Sequence, residues 1–280
     1  MALRSTDQYL AGLRDGRFVT FKGERVADVT SHEHLGIGAR HTALDFELAE
    51  MPEHRELFTW SHEGQTHSRY YKPPENSQDL LNRREMIETS TRAGDSVVLL
   101  VKEIGTDALF ALDLVSRVVD ANAGTAYNER VAAFHRHCRD NDLTLAVAQT
   151  DVKGDRGLLP SQQEHPDYYV HIVEEREDGI VVRGAKAHTT GTPFVDEIIV
   201  LPTRAIGEED ADYAVAFAIP VNTPGVKLLA SPFGAGHADS AFHSPVSSRH
   251  RLVDTLTVFD DVFVPKERVF LQKEWQAAGF

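Results

Sequence analysis

The spacing of hydrophobic and polar positions along this 280-residue chain changes near residue 145. Before that point, apolar residues recur every three or four positions, which is the spacing of amphipathic helices. Ser5 or Thr6 and Ser77 stand where helix-capping residues are expected, and Gly16 follows the first segment as a stop signal. The predicted helical segments are STDQYLAGLRDG, HTALDFELAEM, SQDLLNRREMIETSTRAG and GTAYNERVAAFHRHCRDND. The first half of the chain is therefore predicted to be helical.

After residue 145, short runs of β-branched and aromatic residues replace the helical pattern. The runs are YYVHIVEER, GIVVRGAKAH, EIIVLPTRAI, YAVAFAIPV, GVKLLA and DTLTVFDDVFVP. Turn residues separate them at short intervals, which is typical of an antiparallel sheet or barrel. In the first half, the polar segment HEGQTHSRYYKPPENS contains two prolines and predicts an exposed loop. We therefore expect an α+β protein with a helical N-terminal domain over residues 1–145 and an antiparallel β-barrel domain over residues 146–270.

Composition narrows the class of protein. The formal net charge is -14 and there is no Lys/Arg cluster, which argues against a nucleic-acid partner. There is no run of about 18 apolar residues, so no membrane span is expected. Cys138 is the only cysteine, which rules out an internal disulfide and favours a reducing, cytoplasmic location. No metal site is predicted, because the histidines of HRHC, at i and i+2, do not share a helix face.

A cluster of polar residues, AQTDVKGDRGLLPSQQ, directly follows the apolar run LTLAVA at the junction of the two predicted domains. Such junctions are favoured places for ligand pockets. Thr150 offers a hydroxyl, Gly154 permits close backbone approach, and Lys153 and Arg156 can pair with a pyrophosphate. The alternative is a charged surface turn in which Asp151 and Asp155 cap their own backbone.

A second donor-rich segment, RGAKAHTTGTPF, lies at the end of another predicted strand. Its polar side chains surround Gly191 and are Lys186, His188, Thr189, Thr190 and Thr192. Two glycine-centred loops of this kind on one β domain can hold a flat, polar-edged ring system from two sides.

These two segments, TDVKGDRG and GAKAHTTG, resemble the flavin-contacting pair of strand-end segments in the acyl-CoA dehydrogenase fold. More closely, the whole chain is similar to the branch of that fold containing 4-hydroxyphenylacetate 3-monooxygenase and 4-hydroxybutyryl-CoA dehydratase. The segments that carry this resemblance are QYLAGLRDGR, GERVADVTSH, DVKGDRGLLPSQQ, EREDGIVVRGAKAHTTG and VFDDVFVPKERVF.

The resemblance implies a bound FAD, a homo-oligomer of the tetrameric type, and an acyl-CoA dehydrogenase-like architecture. It also implies that residues 271–280 begin a C-terminal helical domain that is cut off at Phe280. The residues expected to contact the flavin are Thr150, Lys153, Gly154, Asp155, Arg156, Thr190 and Gly191.

The two branches differ in their chemistry. The dehydratase holds an iron–sulfur cluster, and two of its cysteines match Leu99 and Glu103 here, neither of which is a thiolate. The segment SPVSSRH resembles a Tyr-Pro-Leu-Ser-Ser-Arg run of the phenol hydroxylases. We therefore expect a two-component monooxygenase that receives FADH2 from a separate flavin reductase and hydroxylates a small phenolic or other aromatic substrate. The alternatives are a cluster-free relative of the dehydratase acting on an acyl-CoA, and a non-catalytic truncated homologue.

The residues that act as acid and base in the phenol hydroxylases are not present at the matching positions of this chain. Those enzymes use an Arg and a Tyr on one helix and a His on the strand before the flavin loop, and the matching positions here are Leu99, Glu103 and Val147. Glu103 is then a catalytic candidate, because it stands at one of these matching positions. Its alternative is that of a solvent-exposed surface glutamate without a catalytic role. His188 is a second catalytic candidate that can bond a flavin edge or the substrate; its alternative is a structural bond to the backbone.

Two further residues are candidates for substrate binding. Arg249 can bind an anionic substrate or form a salt bridge at an edge. Asp254 occupies a place where the dehydratase has a glutamate near its substrate, and its alternative role is a cap at the start of a strand.

Overall fold

The computed structural model describes residues 3–231 and 242–279, and these residues form a mixed helix and sheet fold. The helices are α1 (Thr6–Gly12), α2 (Leu35–Glu50), α3 (Pro52–Phe58), α4 (Ser77–Ala93), α5 (Leu100–Ala123) and α6 (Tyr127–Asp140). The predicted helical segments correspond to α1, α2, α4 and α6. Ser5 caps α1 as expected, because its side chain accepts a hydrogen bond from the backbone N–H of Gln8.

The strands lie mainly in the second half of the chain. They are β1 (Val19–Phe21), β2 (Glu24–Val26), β3 (Thr59–His62), β4 (Gln65–Ser68), β5 (Leu145–Ala148), β6 (His171–Arg176), β7 (Gly179–Lys186), β8 (Glu197–Val200), β9 (Val215–Pro220), β10 (Val226–Ala230), β11 (Thr255–Pro265) and β12 (Val269–Gln272). The six predicted β-type runs correspond to β6 to β11.

The predicted closed antiparallel barrel is not found in the described residues, which form two separate main sheets. One has the strand order β2-β1-β10-β11-β7-β6 and the other β12-β9-β8-β5. Each contains one parallel pair, β1 with β10 and β5 with β8. The reason is the chain path: after β5 it crosses to the six-stranded sheet to form β6 and β7, and then returns, so β8 lies parallel to β5.

The two sheets pack against each other over one apolar core. Phe217 of β9 and Phe259 of β11 are fully buried and meet edge to face, with ring centroids 5.8 Å apart. Val19 of β1 belongs to the same core, so the N-terminal half contributes to the sheet of the second half. The expected domain boundary at residue 270 falls inside β12, and only a short 3-10 turn, Trp275–Ala277, follows.

Helix α5 joins the helical part to the four-stranded sheet. Its close approach to β5 depends on Gly105, where an added Cβ would lie 2.2 Å from the Cβ of Leu145. The helix ends at Gly124, whose left-handed φ of 70° closes the last turn. The first turn of α5 also meets the loop that follows β7, because an added Cβ at Gly191 would lie 2.9 Å from Val101 Cγ1, so Glu103 lies in a helical turn next to that loop.

The segment predicted as an exposed loop is ordered and partly buried. It contains most of the β3–β4 hairpin and the fully buried Tyr70 and Tyr71. The Tyr71 hydroxyl donates to the carbonyl oxygen of Leu143, and the Tyr70 hydroxyl donates to Asp45 Oδ1 at 3.1 Å. Through these two tyrosines, the polar segment packs against α2 and against the residues that lead into β5. Among the described residues, none of the helices has the length and apolar character needed to cross a bilayer.

Candidate functional site

The two glycine-centred loops lie side by side because a buried ion pair joins them. Asp151 follows β5, Lys186 ends β7, and the Lys186 Nζ lies 2.7 Å from Asp151 Oδ1. Their side chains are only 3% and 2% exposed. The backbones also meet, since Ala187 N donates to the carbonyl oxygen of Thr150 at 2.7 Å. The two segments therefore adjoin at Thr150 and Asp151 of the first and at Lys186 and Ala187 of the second.

Lys186 has a complete set of acceptors. Besides Asp151, its ammonium group donates to the carbonyl oxygens of Gln149 at 2.9 Å and Leu201 at 2.8 Å. Burial lowers the pKa of Lys186, and the charge of Asp151 opposes that shift. Thr203 completes the arrangement by donating to Asp151 Oδ2. The Lys186 side chain is therefore a structural clamp and is not free to bind a ligand.

The loop after Asp151 has the backbone of an anion-binding turn. Lys153 and Gly154 have consecutive positive φ values of 78° and 53°. An added Cβ at Gly154 would lie 2.4 Å from Gln163 Oε1, so a side chain here would displace the glutamine that braces the loop. Gln163 Oε1 accepts from Asp155 N at 3.0 Å, and Asp155 Oδ1 accepts from Gly157 N at 2.8 Å. Asp155 thus caps its own loop, as the alternative prediction held, whereas Asp151 does not, because it is buried against Lys186.

Several donor-bearing side chains around the two loops have no internal partner. Within residues 3–231 and 242–279, the side chains of Thr150, Lys153, Arg156 and His188 make no hydrogen bond or ion pair. His188 is exposed and has a left-handed φ of 56°. A polar residue with positive φ and no internal partner is typical of a functional loop. These groups are available to an external acceptor.

The second loop is held from the other side by the segment before β11. Gly191 N donates to the carbonyl oxygen of Val253 at 2.8 Å, and the Thr190 hydroxyl donates to Asp254 Oδ1. Gly191 has φ 77°, and an added Cβ there would lie 2.9 Å from Val101 Cγ1 in the first turn of α5. Asp254 is therefore already engaged by Thr190, and the second loop touches the helix that carries Glu103.

Glu103 is half-buried with an unsatisfied acceptor. Its Oε2 is buried and has no hydrogen-bond partner. Burial raises the pKa of Glu103, while the nearby Arg83 guanidinium opposes the shift. Arg83 donates to the backbone carbonyl of Glu103 at 2.9 Å and to Asp107 Oδ1 at 2.7 Å. This carboxyl group is suited to accept a proton from a neighbouring acid, because its free oxygen has no competing donor.

A second acid that the sequence reading missed lies in the helical part. Asp45 of α2 is 2% exposed, and its Oδ2 has no partner. Burial raises the pKa of Asp45 to about 7, and the Lys102 charge opposes the shift. Lys102 itself pairs with the buried Asp142 at 2.7 Å. A polar residue among the apolar positions of HTALDFELAEM was the available signal for Asp45.

Arg249 does not face the two loops. Its guanidinium Nη2 lies 2.7 Å from Asp95 Oδ2, and the side chain is 63% exposed. This is the salt-bridged arrangement that the sequence left open as its alternative role. Asp95 belongs to the loop before α5, so Arg249 reaches the site only through that loop.

An apolar cleft adjoins the polar loops. It runs between α5 and the four-stranded sheet and ends at Gln149, whose carbonyl oxygen holds Lys186. Its lining includes Ala108, Leu112, Leu201 and Phe270. The described residues contain no group of three or more His, Cys, Asp and Glu side chains arranged to hold a metal ion.

Comparison with known proteins gives the family. The family model described as 4-hydroxyphenylacetate 3-hydroxylase N terminal matches residues 5–271. This chain belongs to that family. It is 34% identical to 4-hydroxybutyryl-CoA dehydratase/vinylacetyl-CoA-Delta-isomerase of Clostridium aminobutyricum over 99% of this chain and 57% of that protein. It is also 34% identical to the 4-hydroxyphenylacetate 3-monooxygenase oxygenase component of Thermus thermophilus over 90% of this chain and 51% of that protein.

Solved structures of 4-hydroxyphenylacetate 3-hydroxylase family relatives share the fold. An oxygen-tolerant archaeal 4-hydroxybutyryl-CoA dehydratase from N. maritimus matches with a TM-score of 0.89 at 28% identity, over 99% of this chain and 55% of that one. The oxygenase component of 4-hydroxyphenylacetate 3-monooxygenase complexed with FAD matches with a TM-score of 0.83 at 30% identity, over 98% and 56%. The chain thus spans just over half the length of these relatives.

Two residues on which the choice between the dehydratase and hydroxylase branches depended, Leu99 and Cys138, are both buried. Leu99 is buried beside the first turn of α5, where its Cδ1 would contact a Cβ added at Gly94. Cys138 lies in α6 within a different apolar cluster, and burial raises the pKa of its thiol. The single thiol is therefore not directed toward the loops after β5 and β7.

Proposed function

We propose that this chain carries the flavin-binding part of a two-component FADH2-dependent monooxygenase that hydroxylates a phenolic or other aromatic substrate. The observation that carries the proposal is the pair of clamped loops with partner-free donors on their outer side. Asp151 and Lys186 fix the loops relative to each other, while Thr150, Lys153 and Arg156 remain available. The family relative solved with FAD supports the choice of flavin over another anionic ligand.

The donor set fits a flavin. Lys153 and Arg156 would pair with the negatively charged pyrophosphate, and the backbone turn at Gly154 permits close approach. Thr150, Thr190 and Gly191 would line the polar edge of the ring system, with His188 beside them. When bound, reduced FAD supplies the two electrons that activate oxygen for transfer to the ring.

The chain's own part in the chemistry is to hold and move a proton. Hydroxylation is assisted when the phenol gives up its proton, because the phenolate is the better nucleophile. Glu103 Oε2, buried and without a donor, would accept that proton. Burial raises the pKa of Glu103 toward the neutral range, where a general base is most effective.

The remaining parts of the proposal concern partners and setting. A separate flavin reductase would supply FADH2, as the name "oxygenase component" of the Thermus relative implies for that protein. Homo-oligomeric assembly and a cytoplasmic location complete the proposal; the first is supported by the family resemblance and the second by the single, unpaired Cys138.

Flavin binding is the direct test. Titrating the chain with FAD and with anaerobically reduced FAD should give a dissociation constant that rises about 10- to 100-fold in the double variant Lys153→Gln/Arg156→Gln, because charge-assisted hydrogen bonds contribute about 1.5–3 kcal/mol. Lys227→Gln, which breaks an exposed ion pair with Asp260, is the matched control and should bind like the parent. Equal affinities in all three proteins would contradict the proposal.

A second candidate function is that of a cluster-free dehydratase relative acting on an acyl-CoA. The TM-score of 0.89 to the archaeal dehydratase favours it. Leu99 and Glu103, where thiolates would be needed, disfavour the dehydratase chemistry. Binding assays separate the two functions. If a phenol perturbs the flavin spectrum and CoA thioesters do not displace it, the result supports the oxygenase. If only the CoA thioester binds saturably, the result supports the dehydratase relative.

A further inference from the structure

A buried and a partly buried histidine, His41 and His250, meet where the helical part and the sheets adjoin. His41 of α2 is 1% exposed, and the side chain of His250 is 13% exposed. Their Nδ1 atoms lie 3.2 Å apart, with the ring planes inclined by 71°. Each ring makes a second polar contact: His41 Nε2 lies 3.1 Å from the carbonyl oxygen of Val98, and His250 Nε2 lies 3.2 Å from Asp95 Oδ2.

These contacts fix the number of protons. His41 Nε2 faces a carbonyl oxygen and must carry hydrogen, so a neutral His41 presents a lone pair at Nδ1. His250 must then donate from Nδ1, and its Nε2 lies within ion-pair distance of a carboxylate oxygen, a neighbour that favours a proton on that nitrogen. One neutral ring and one imidazolium satisfy every contact. With two neutral rings the lone pair of His250 Nε2 faces the Asp95 carboxylate, which is then paired with Arg249 alone, and with two charged rings the N–H groups of the pair oppose each other.

The neighbouring groups favour this assignment. Burial, and then the charge of His250, lower the pKa of His41, which keeps that ring neutral. Within the described residues, the charged groups in contact with the pair are Asp95 and, through it, Arg249, whose Nη2 lies 2.7 Å from Asp95 Oδ2. An added Cβ at Gly94 would lie 2.9 Å from His41 Cε1, so the loop is packed tightly against the ring.

The pair lies between the two ends of the candidate site. Val98 and Asp95 precede α5, which carries Glu103 one turn later. Three residues after His250, the carbonyl oxygen of Val253 holds Gly191 N at 2.8 Å. A displacement of either ring therefore moves the start of α5 relative to the loop at Gly191.

We propose that His41 and His250 are positioning residues that form a one-proton clamp, which holds the start of α5 against the loop at Gly191 only while the pair carries a single extra proton. Acidification adds the second proton and opens the clamp by charge repulsion. Alkalinisation removes the proton that pairs His250 with Asp95 and loosens it. Its consequence for catalysis, the placing of Glu103, rests on the proposed function, whereas the clamp itself does not.

The first test reads the proton states directly and needs no flavin. Long-range ¹H–¹⁵N spectra of histidine-labelled protein, assigned with His41→Gln and His250→Gln, should show at neutral pH a neutral His41 protonated at Nε2 and a charged His250. Asp95→Asn keeps both rings in place and should make His250 lose its proton at a pH at least one unit lower than in the parent. Two neutral rings at neutral pH, or a His250 titration unaffected by Asp95→Asn, would overturn the clamp.

The second test measures the mechanical consequence. Amide hydrogen exchange of residues 98–103 and of Gly191 should be slowest near neutral pH in the parent and, after correction for intrinsic rates, at least tenfold faster on both sides of that range. In His250→Phe the protection should be low and independent of pH. His62→Gln, which removes a half-exposed imidazole on the β3–β4 hairpin, should behave like the parent. A parent profile with no pH optimum refutes the clamp even if flavin binds as proposed.

Discussion

Substitution of Asp151 by Asn is the most demanding test of the site architecture. Asn keeps the size of the side chain and one acceptor oxygen, which can serve Val170 N. Its NH2 group replaces the oxygen that accepts from Thr203, but the Thr203 hydroxyl also donates to the carbonyl oxygen of Gln149, so the main loss is the charge beside Lys186. At 2.7 Å the Coulomb attraction of the pair is about 6 kcal/mol for an effective dielectric constant of about 20. Desolvation of two buried ions offsets most of that attraction, but an ammonium group left alone keeps its full desolvation penalty.

The expected loss in the free energy of unfolding of Asp151→Asn is therefore about 3–5 kcal/mol, the range for a broken buried pair. Urea unfolding followed by tryptophan fluorescence measures this loss. The double variant Asp151→Asn/Lys186→Met buries no charge and should recover at least about 2 kcal/mol relative to the sum of the single variants. Lys227→Met, which breaks the exposed pair with Asp260, is the control and should leave stability unchanged.

Two results would refute the reasoning. One is an Asp151→Asn variant as stable as the Lys227→Met control, which would mean that the pair is solvated in solution. The other is simple additivity in the double variant, which would mean that the two charges do not interact. Flavin affinity measured on the same proteins should fall with Asp151→Asn, because the two loops would no longer be held at one spacing.

Three further predictions concern α2 and α5. Burial raises the pKa of Asp45 from 3.8 to about 7, so the carboxyl group ionises at lower pH in the unfolded chain than in the folded one, and the free energy of unfolding falls by up to ~4 kcal/mol as pH rises from 4 to 7. Asp45→Asn should abolish that fall and should be more stable than the parent in urea unfolding at pH 8. A variant with the pH dependence of the parent would contradict this. Gly105→Ala improves helix propensity, yet it should destabilise the folded protein by about 1–3 kcal/mol, because the new Cβ would lie 2.2 Å from the Cβ of Leu145. A variant that is more stable than the parent in thermal unfolding would disprove this close packing. Glu103→Gln should lower kcat about 100-fold or more and remove the acid limb of the pH–rate profile, and an unchanged profile would assign the base elsewhere.

The elements that the sequence predicted are those with a local signature. Helix α4 has a local capping signal, although the cap is Asn76 and not the predicted Ser77, and β7 is a long β-branched run, so neither needs distant information. Helix α5 was not predicted from its own pattern, because its apolar residues are not confined to one face: Leu114 and Val118 are exposed while Leu109 is buried. The three-residue strand β1 has no signature of its own and exists through its pairing with β10.

The candidate site likewise has parts that the sequence predicted and parts that only the tertiary structure shows. The turns at Gly154 and Gly191 were predicted because glycine among donors is a local signal, and both have positive φ. The ion pair between Asp151 and Lys186 joins residues that are distant in sequence, and nothing in either segment specifies the partner. The same limit applies to His41 and His250, which are 209 positions apart. Chemistry built from pairs of distant residues needs the tertiary fold to become visible.

Strand β1 has a consequence for biosynthesis. Val19 aligns with Leu228 in a parallel pair, so β1 lacks its β10 neighbour until the chain has been synthesised past Leu228. Contacts of such long sequence separation close late and slowly, because the intervening loop must be ordered first. During translation the nascent β1 can pair with β2, but its other edge must remain open, and expressing residues 1–145 by themselves would leave that edge and the core side of Val19 and Phe21 open to aggregation.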